Sequence, residues 1–173
     1  DRPYFLIIDE INRGNLSKIF GELMMLIEHD KRGKDFAVKL TYSSGEIPEF
    51  HVPPNLHLIG TMNTADRSLS LVDYALRRRF AFITLAPELE SENFVSLLKE
   101  RGADKAFIQM IQSRVGALNE AILEDKRNLG KGYRIGHSFF CPDAETAASL
   151  NWYREVIKFE IAPLLREYWM DRE

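Results

Sequence analysis

The sequence predicts an α/β core followed by an α-helical domain, and three observations carry that reading. Apolar runs at 4–8, 55–61 and 80–85 are short, rich in aliphatic and aromatic residues, and bounded by polar or turn-forming residues, as strands are. Helical spacing fills the intervals between them, which gives the order expected of parallel strands joined by crossovers. Beyond Pro87 the strand signals stop and helical periodicity continues. The expected division is residues 1–86 for the α/β part and 87–173 for the helical part.

Taken in order, Tyr4-Phe5-Leu6-Ile7-Ile8 shows no polar alternation, so a strand buried on both faces is expected, ending at Asp9-Glu10. Leu16, Ile19, Phe20, Leu23, Met24 and Ile27 recur at three and four residues, which predicts an amphipathic helix over about 15–29. Phe36, Val38 and Leu40 on one side of Ser43-Ser44-Gly45, and Ile47, Phe50 and Val52 on the other, predict a β-hairpin that Pro53-Pro54 ends. A second buried strand follows at 55–61, then a helix over 69–78 capped by Ser68, then a third strand at 80–85. In the helical part, 91–101 and 104–123 have clear periodicity, the latter through Phe107, Ile108, Ile111, Val115, Leu118 and Ile122. A connector with Gly130, Gly132 and Gly136 leads to a last helix over about 144–168, which Pro163 kinks or divides.

Composition narrows the function. The 173 residues are 45% hydrophobic and 28% charged, which suits a folded globular chain and excludes disorder. A net charge of −3 disfavours a strongly basic nucleic-acid binder; residues 1–86 balance their charges and residues 87–173 are mildly acidic. The single cysteine, Cys141, excludes an internal disulfide and a Cys-rich zinc site, and an inert thiol is expected of it. His29, His51, His57 and His137 lack the paired spacing of metal ligands. No apolar run reaches the roughly 20 residues that cross a bilayer, and Asp1-Arg2-Pro3 does not open a signal peptide, so a cytoplasmic protein without membrane contact is expected.

Three motifs could carry chemistry. Asp9 and Glu10 follow a strand, where a carboxylate pair can hold Mg²⁺ and orient an attacking water in a P-loop nucleotidase; the same residues also begin loops and cap helices. Asn63, in Gly60-Thr61-Met62-Asn63-Thr64-Ala65-Asp66-Arg67-Ser68, would emerge at the same sheet edge if the two strands are neighbours, although such residues equally suit a turn and an N-cap. Arg77-Arg78-Arg79 complements a helix C-terminus, and three in a row exceed what capping needs, which favours an arginine finger among them.

With these residues in view, Tyr4–Asn15, Met62–Ser68 and Asp73–Phe80 resemble, in order and spacing, the AAA+ domain of the McrB family, the GTP-dependent motors of restriction systems that cleave DNA containing modified cytosine. The Asp-Glu strand is common to AAA+ proteins, whereas Met-Asn-Thr-Ala-Asp-Arg-Ser is specific to this branch, and Arg134–Phe140 resembles the family's lid. The resemblance implies a partial AAA+ P-loop NTPase core, with a parallel sheet, crossover helices and an inserted hairpin, followed by an α-helical lid. It assigns Asp9 to Mg²⁺, Glu10 to water activation and Asn63 to the sensor-1 position; Asp66 and Arg67 belong to the same nucleotide-site loop. Arg78 is the first choice for a finger acting on a neighbouring subunit and Arg79 the second, and Arg134 is the candidate sensor-2 residue. The inserted hairpin would face a central pore or a partner. The implied cofactors are GTP, ahead of ATP, and Mg²⁺. The implied partners are further copies in a ring, a hexamer, a McrC-like nuclease, and DNA bound through an N-terminal domain not included in these residues.

One departure is large. No Gly-x-x-x-x-Gly-Lys-Ser/Thr occurs, and Gly130-Lys131-Gly132 has neither the spacing nor a preceding strand. The expectation is therefore the C-terminal part of a longer or truncated protein, inactive alone, with the edge at Tyr4–Ile8 prone to pairing unless covered. A non-catalytic oligomerisation or adaptor module, and a MoxR- or dynein-like AAA+ ATPase with a chaperone role, are the alternatives.

Overall fold

A computed structural model describes residues 2–41, 49–63, 65 and 77–170. The chain divides into two compact units, Asp1–Ile83 and Thr84–Glu173.

In the first unit, β1 (Tyr4–Ile8) and β2 (Leu56–Gly60) pair in parallel, with Tyr4 opposite Leu56 and Ile8 opposite Gly60. Parallel strands need a long crossover, and here it begins with a 3₁₀ turn at Ile11–Arg13 and α1 (Leu16–Phe20). The expected helix over 15–29 is shorter than its periodicity suggested. Gly21 takes a left-handed φ of 46°, which ends the α-helix, and Gly21–Ile27 continues as 3₁₀ turns whose three-residue repeat fits much of the same apolar spacing. Among the described residues of this unit, Leu26, Ile27 and Val52 are the buried hydrophobic ones. Arg32 binds the layers together: its Nε and Nη2 donate to the Ile27 carbonyl at 3.3 and 2.9 Å, and its Nη1 donates to the carbonyl of Leu56 at the start of β2.

Two expectations for this unit are corrected, and a third is met as far as the described residues reach. Of the expected hairpin they show one antiparallel bridge, Val38 with Phe50, closed by two backbone hydrogen bonds of 2.8 Å; its turn, Ser43-Ser44-Gly45, lies outside the described residues. The strand expected at 80–85 does not form, and Ile83 and Leu85 are 85% and 90% exposed. A strand exists only through the ladder it joins, and β1 and β2 form the one sheet among the described residues. The two strands are not buried on both faces either: Tyr4, Phe5 and Ile7 are more than half exposed. A parallel pair is buried only where helices cover both faces, and the described residues place no such cover over β1. The helix expected at 69–78 falls almost wholly outside the described residues.

The second unit is helical. Ser91 caps α2 (Glu92–Glu100) by accepting from the Phe94 N–H at 3.3 Å, and Asp104 caps α3 (Lys105–Glu124) by accepting from the Phe107 N–H at 2.7 Å. Ile108, Ile111, Val115 and Ile122 of α3 pack with Phe94, Leu98, Ile135, Phe140, Tyr153 and Ile161 in one continuous core. The glycine connector holds 3₁₀ turns at Lys131–Tyr133 and His137–Phe140. The last helix starts at 150 rather than 144, because Ser149 supplies the cap, and it has three parts: α4 (Leu150–Val156), a π segment (Ile157–Ile161) and α5 (Ala162–Tyr168). Pro163 explains the break. It has no N–H to donate, and its ring crowds the preceding turn, which widening to π geometry relieves. Among the described residues no helix is long and apolar enough to cross a membrane.

Asn119 is the one buried polar residue of α3, and it clamps a neighbouring peptide. Its Nδ2 donates to the Ile135 carbonyl at 3.0 Å and its Oδ1 accepts from the Ile135 N–H at 2.6 Å, as a strand partner would. Gly116, one turn earlier, has open space where a Cβ would stand. Asn119→Leu strands two buried backbone groups and is expected to cost about 2–5 kcal/mol. Gly116→Ala is expected to add about 0.5–1 kcal/mol. Both tryptophans, Trp152 and Trp169, lie in this unit, so urea unfolding followed by their fluorescence reports it. An unchanged midpoint in Asn119→Leu would show the clamp to be redundant.

Candidate functional site

The pairing of Ile8 with Gly60 brings the residues just after both strands together. Thr61 is the joint. Its N–H donates to the Ile8 carbonyl at 3.0 Å, and its carbonyl accepts from the Ile11 N–H at 2.8 Å. Its hydroxyl donates to the Asp9 carboxylate and accepts from the Glu10 N–H at 3.1 Å. One threonine thus fixes the backbone of Glu10 and one oxygen of Asp9. Gly60 is small for a reason: a Cβ there would stand 2.9 Å from the Ile11 side chain.

Glu10 takes a left-handed φ of 48°, the one non-glycine residue among those described to do so. This conformation turns the chain sharply into the 3₁₀ turn, which the Arg13 N–H closes on the Glu10 carbonyl at 2.9 Å. The Glu10 carboxylate pairs with Arg13, and both side chains are well exposed. Backbone strain of this kind costs of order 1–3 kcal/mol and tends to persist at functional sites.

Asn63 arrives from β2 at the same edge. Its carbonyl accepts from Nδ2 of Asn12, a buried side chain, at 3.3 Å, and its own Oδ1 accepts from the Ala65 N–H at 2.9 Å, an Asx-type turn. With the side-chain oxygen so engaged, the Nδ2 group is the part that can donate to a bound oxygen. Asp66 and Arg67 lie outside the described residues.

The arginines separate. Arg77 and Arg78 are exposed, whereas Nη2 of Arg79 donates to Oε1 of Glu28 at 2.7 Å, with side-chain exposures of 20% and 34%. In the second unit Arg134 Nε donates to the Lys131 carbonyl at 3.3 Å, and the residue lines a cavity of about 390 Å³ with Pro87, Glu88, Gln112, Gly116 and Asn119. Gln112 Nε2 donates to the Leu89 carbonyl at 2.9 Å, and His137 Nδ1 accepts from the Glu88 N–H at 3.1 Å, so two side chains tie the segment 88–89 to the helical unit. The bond at His137 is thus a structural one. Burial pushes the Cys141 thiol up from its ordinary value, and its Sγ donates to the His137 carbonyl at 3.4 Å. Asp143 is held below the usual carboxylate range by the Thr146 hydroxyl first and then by backbone N–H groups.

Sequence reasoning placed Asp9, Glu10 and Asn63 correctly at one edge but gave no role to Thr61, Asn12, Glu28 or Asn119. A signal existed for two of them. Thr61 is the last residue of the strand expected at 55–61, and Asn119 interrupts the apolar face of α3. Glu28 and Asn12 carried none.

Carboxylates and a polar loop at the carboxyl ends of adjacent parallel strands form the usual ligand edge of an open α/β sheet, and the helical unit follows it in sequence. Comparison with known proteins specifies the class. Residues 2–80 match the AAA domain (dynein-related subfamily), and residues 110–173 match the McrB alpha-helical lid domain. The chain is similar to the type IV methyl-directed restriction enzyme EcoKMcrB subunit of Escherichia coli (strain K12), 49% identical over 173 residues, covering 99% of this chain and 38% of that protein. It is also similar to the type II restriction enzyme BsuMI component YdiS of Bacillus subtilis (strain 168), 28% identical over 183 residues, covering 95% of this chain and 48% of that protein. The chain therefore spans less than half the length of these relatives. It belongs to the McrB-type AAA+ proteins, as a partial AAA+ core with a helical lid.

The geometry makes Thr61 the test of the joint. Thr61→Val removes the hydroxyl that accepts from the Glu10 N–H, and exchange of that amide is expected to quicken about tenfold, while Thr61→Ser keeps it slow. Equal exchange in all three forms would remove Thr61 from its role.

Proposed function

We propose that this chain is the Walker B-to-lid part of a GTP-hydrolysing AAA+ motor subunit, and that the motor powers DNA cleavage by a separate McrC-like nuclease in a restriction system. The observation that carries the reading is the convergence of Asp9, Glu10 and Asn63 beyond two paired parallel strands. Both relatives are described as parts of restriction enzymes, which supports the restriction role.

In this reading Asp9 holds Mg²⁺. The residues present suit that ion: an exposed carboxylate beside a hydroxyl offers hard oxygen ligands, and Mg²⁺ commonly takes one or two carboxylates and completes its shell with water and phosphate. When bound, the ion neutralises phosphate charge. Glu10 orients the attacking water, which requires its carboxylate to turn from Arg13. Asn63 donates to that water or to a phosphate oxygen through Nδ2. Asp66, Arg67 and Arg134 are the further nucleotide-binding residues. Arg78, exposed where Arg79 is paired, is the finger that completes a neighbour's site, so the working form is a homo-oligomeric ring, a hexamer. Catalysis is positioning and charge neutralisation without a covalent intermediate.

The phosphate loop is supplied by other parts of the full-length protein, and so is DNA contact. Residues 1–86 form the core portion and 87–173 the lid. In the full-length protein Glu10→Gln is expected to lower GTP turnover by at least about 100-fold while nucleotide binding persists, and Arg78→Ala to lower it by about 1,000-fold. The 173-residue chain alone is expected to show no turnover. GTP hydrolysis by that chain, lost on Glu10→Gln, would sink the proposal, and turnover of the full-length protein with ATP alone would displace GTP.

A further inference from the structure

We propose that Glu28 is a positioning residue for the arginine finger, acting through Arg79; the inference rests on the finger reading of Arg78. Arg77, Arg78 and Arg79 are consecutive, yet the structure treats them differently: the first two are exposed, and the guanidinium of the third donates to Glu28 at 2.7 Å. With side chains 20% and 34% exposed, this is a partly buried, charge-assisted hydrogen bond rather than a surface pair of negligible weight.

Glu28 is itself well anchored. It ends the Gly21–Ile27 turns with an extended backbone, its N–H donates to the Met25 carbonyl at 3.2 Å, and it directly follows Leu26 and Ile27, which are 0% and 4% exposed. The cation next to Arg78 is therefore fastened beside the most buried of the described residues of the first unit. Because Arg78 and Arg79 share a peptide bond, fixing the second limits the directions the first can take. A finger must reach a phosphate on another molecule, and each freedom frozen beforehand is one that need not be lost in the transition state. The arrangement also accounts for a run of arginines longer than helix capping requires.

The test uses the full-length ring. Glu28→Gln and Glu28→Ala are expected to lower kcat for GTP about tenfold, with KM changed by less than about twofold, because binding and chemistry in the variant's own site are untouched. The charge swap Glu28→Arg with Arg79→Glu restores most of the loss. Mixed rings separate positioning from simple destabilisation. Subunits carrying Glu28→Ala retain a sound cis site, and subunits carrying Glu10→Gln retain a sound finger, so mixing the two recovers turnover beyond the sum of the separate rings. Unchanged kcat, a KM that rises in step, or no recovery in mixed rings overturns the inference. Arg78→Ala distinguishes the failures: full turnover in that variant removes the finger reading, whereas loss there with none at Glu28 removes this inference alone.

Discussion

The in-register parallel pairing of five residues of β1 with five of β2 is the constraint on which the candidate site depends. It places Asp9, Glu10 and Thr61 side by side although Asp9 and Thr61 are 52 residues apart. A slip of one residue would turn every side chain of the strand to the other face, and would also part the Thr61 hydroxyl from both the Asp9 carboxylate and the Glu10 N–H. The remaining contacts follow from this one. The left-handed turn at Glu10 starts where the ladder stops, the Asn12 amide meets the Asn63 carbonyl because both loops leave from the same level, and the 3₁₀ turn brings Arg13 to the Glu10 carboxylate.

The two units are stabilised in different ways. The lid has a continuous apolar core, its buried Asn119 meets both backbone groups of Ile135, and the helix N-termini at Ser91, Asp104 and Ser149 are capped. Its stability is a matter of packing and satisfied hydrogen bonds. The described residues of the first unit bury little and are held by polar ties, with Arg32 holding two carbonyls and Glu28 holding Arg79. Its apolar strand residues stay exposed, the signature of a sheet whose faces are meant for covering elements.

Helices α2 and α3 were legible nearly to the residue, because cap, apolar period and terminus all lie within a short stretch of chain. The helix expected at 15–29 was half legible: its period was real, but Gly21 adopts a left-handed conformation that periodicity does not register. Phe80–Leu85 misled, since an apolar run states a readiness to be a strand and not the presence of a partner. At the site, Asp9, Glu10 and Asn63 were found from residue type and position after a strand, and the arginine run stood out by its length.

What can be read along the chain is whatever a residue settles with neighbours one helical turn or one strand step away: element type, caps, breaks, and the motif types that mark an AAA+ core and lid. What folding decided are partnerships between distant positions, such as Thr61 with Asp9, Asn119 with Ile135 and Glu28 with Arg79. Their free energy arises when particular donors and acceptors come within hydrogen-bond distance in a partly desolvated place. Neither residue type nor spacing encodes that distance. Arg78 and Arg79 show the difference: they are chemically identical, yet in the fold one stays exposed while the other meets a carboxylate 51 residues before it.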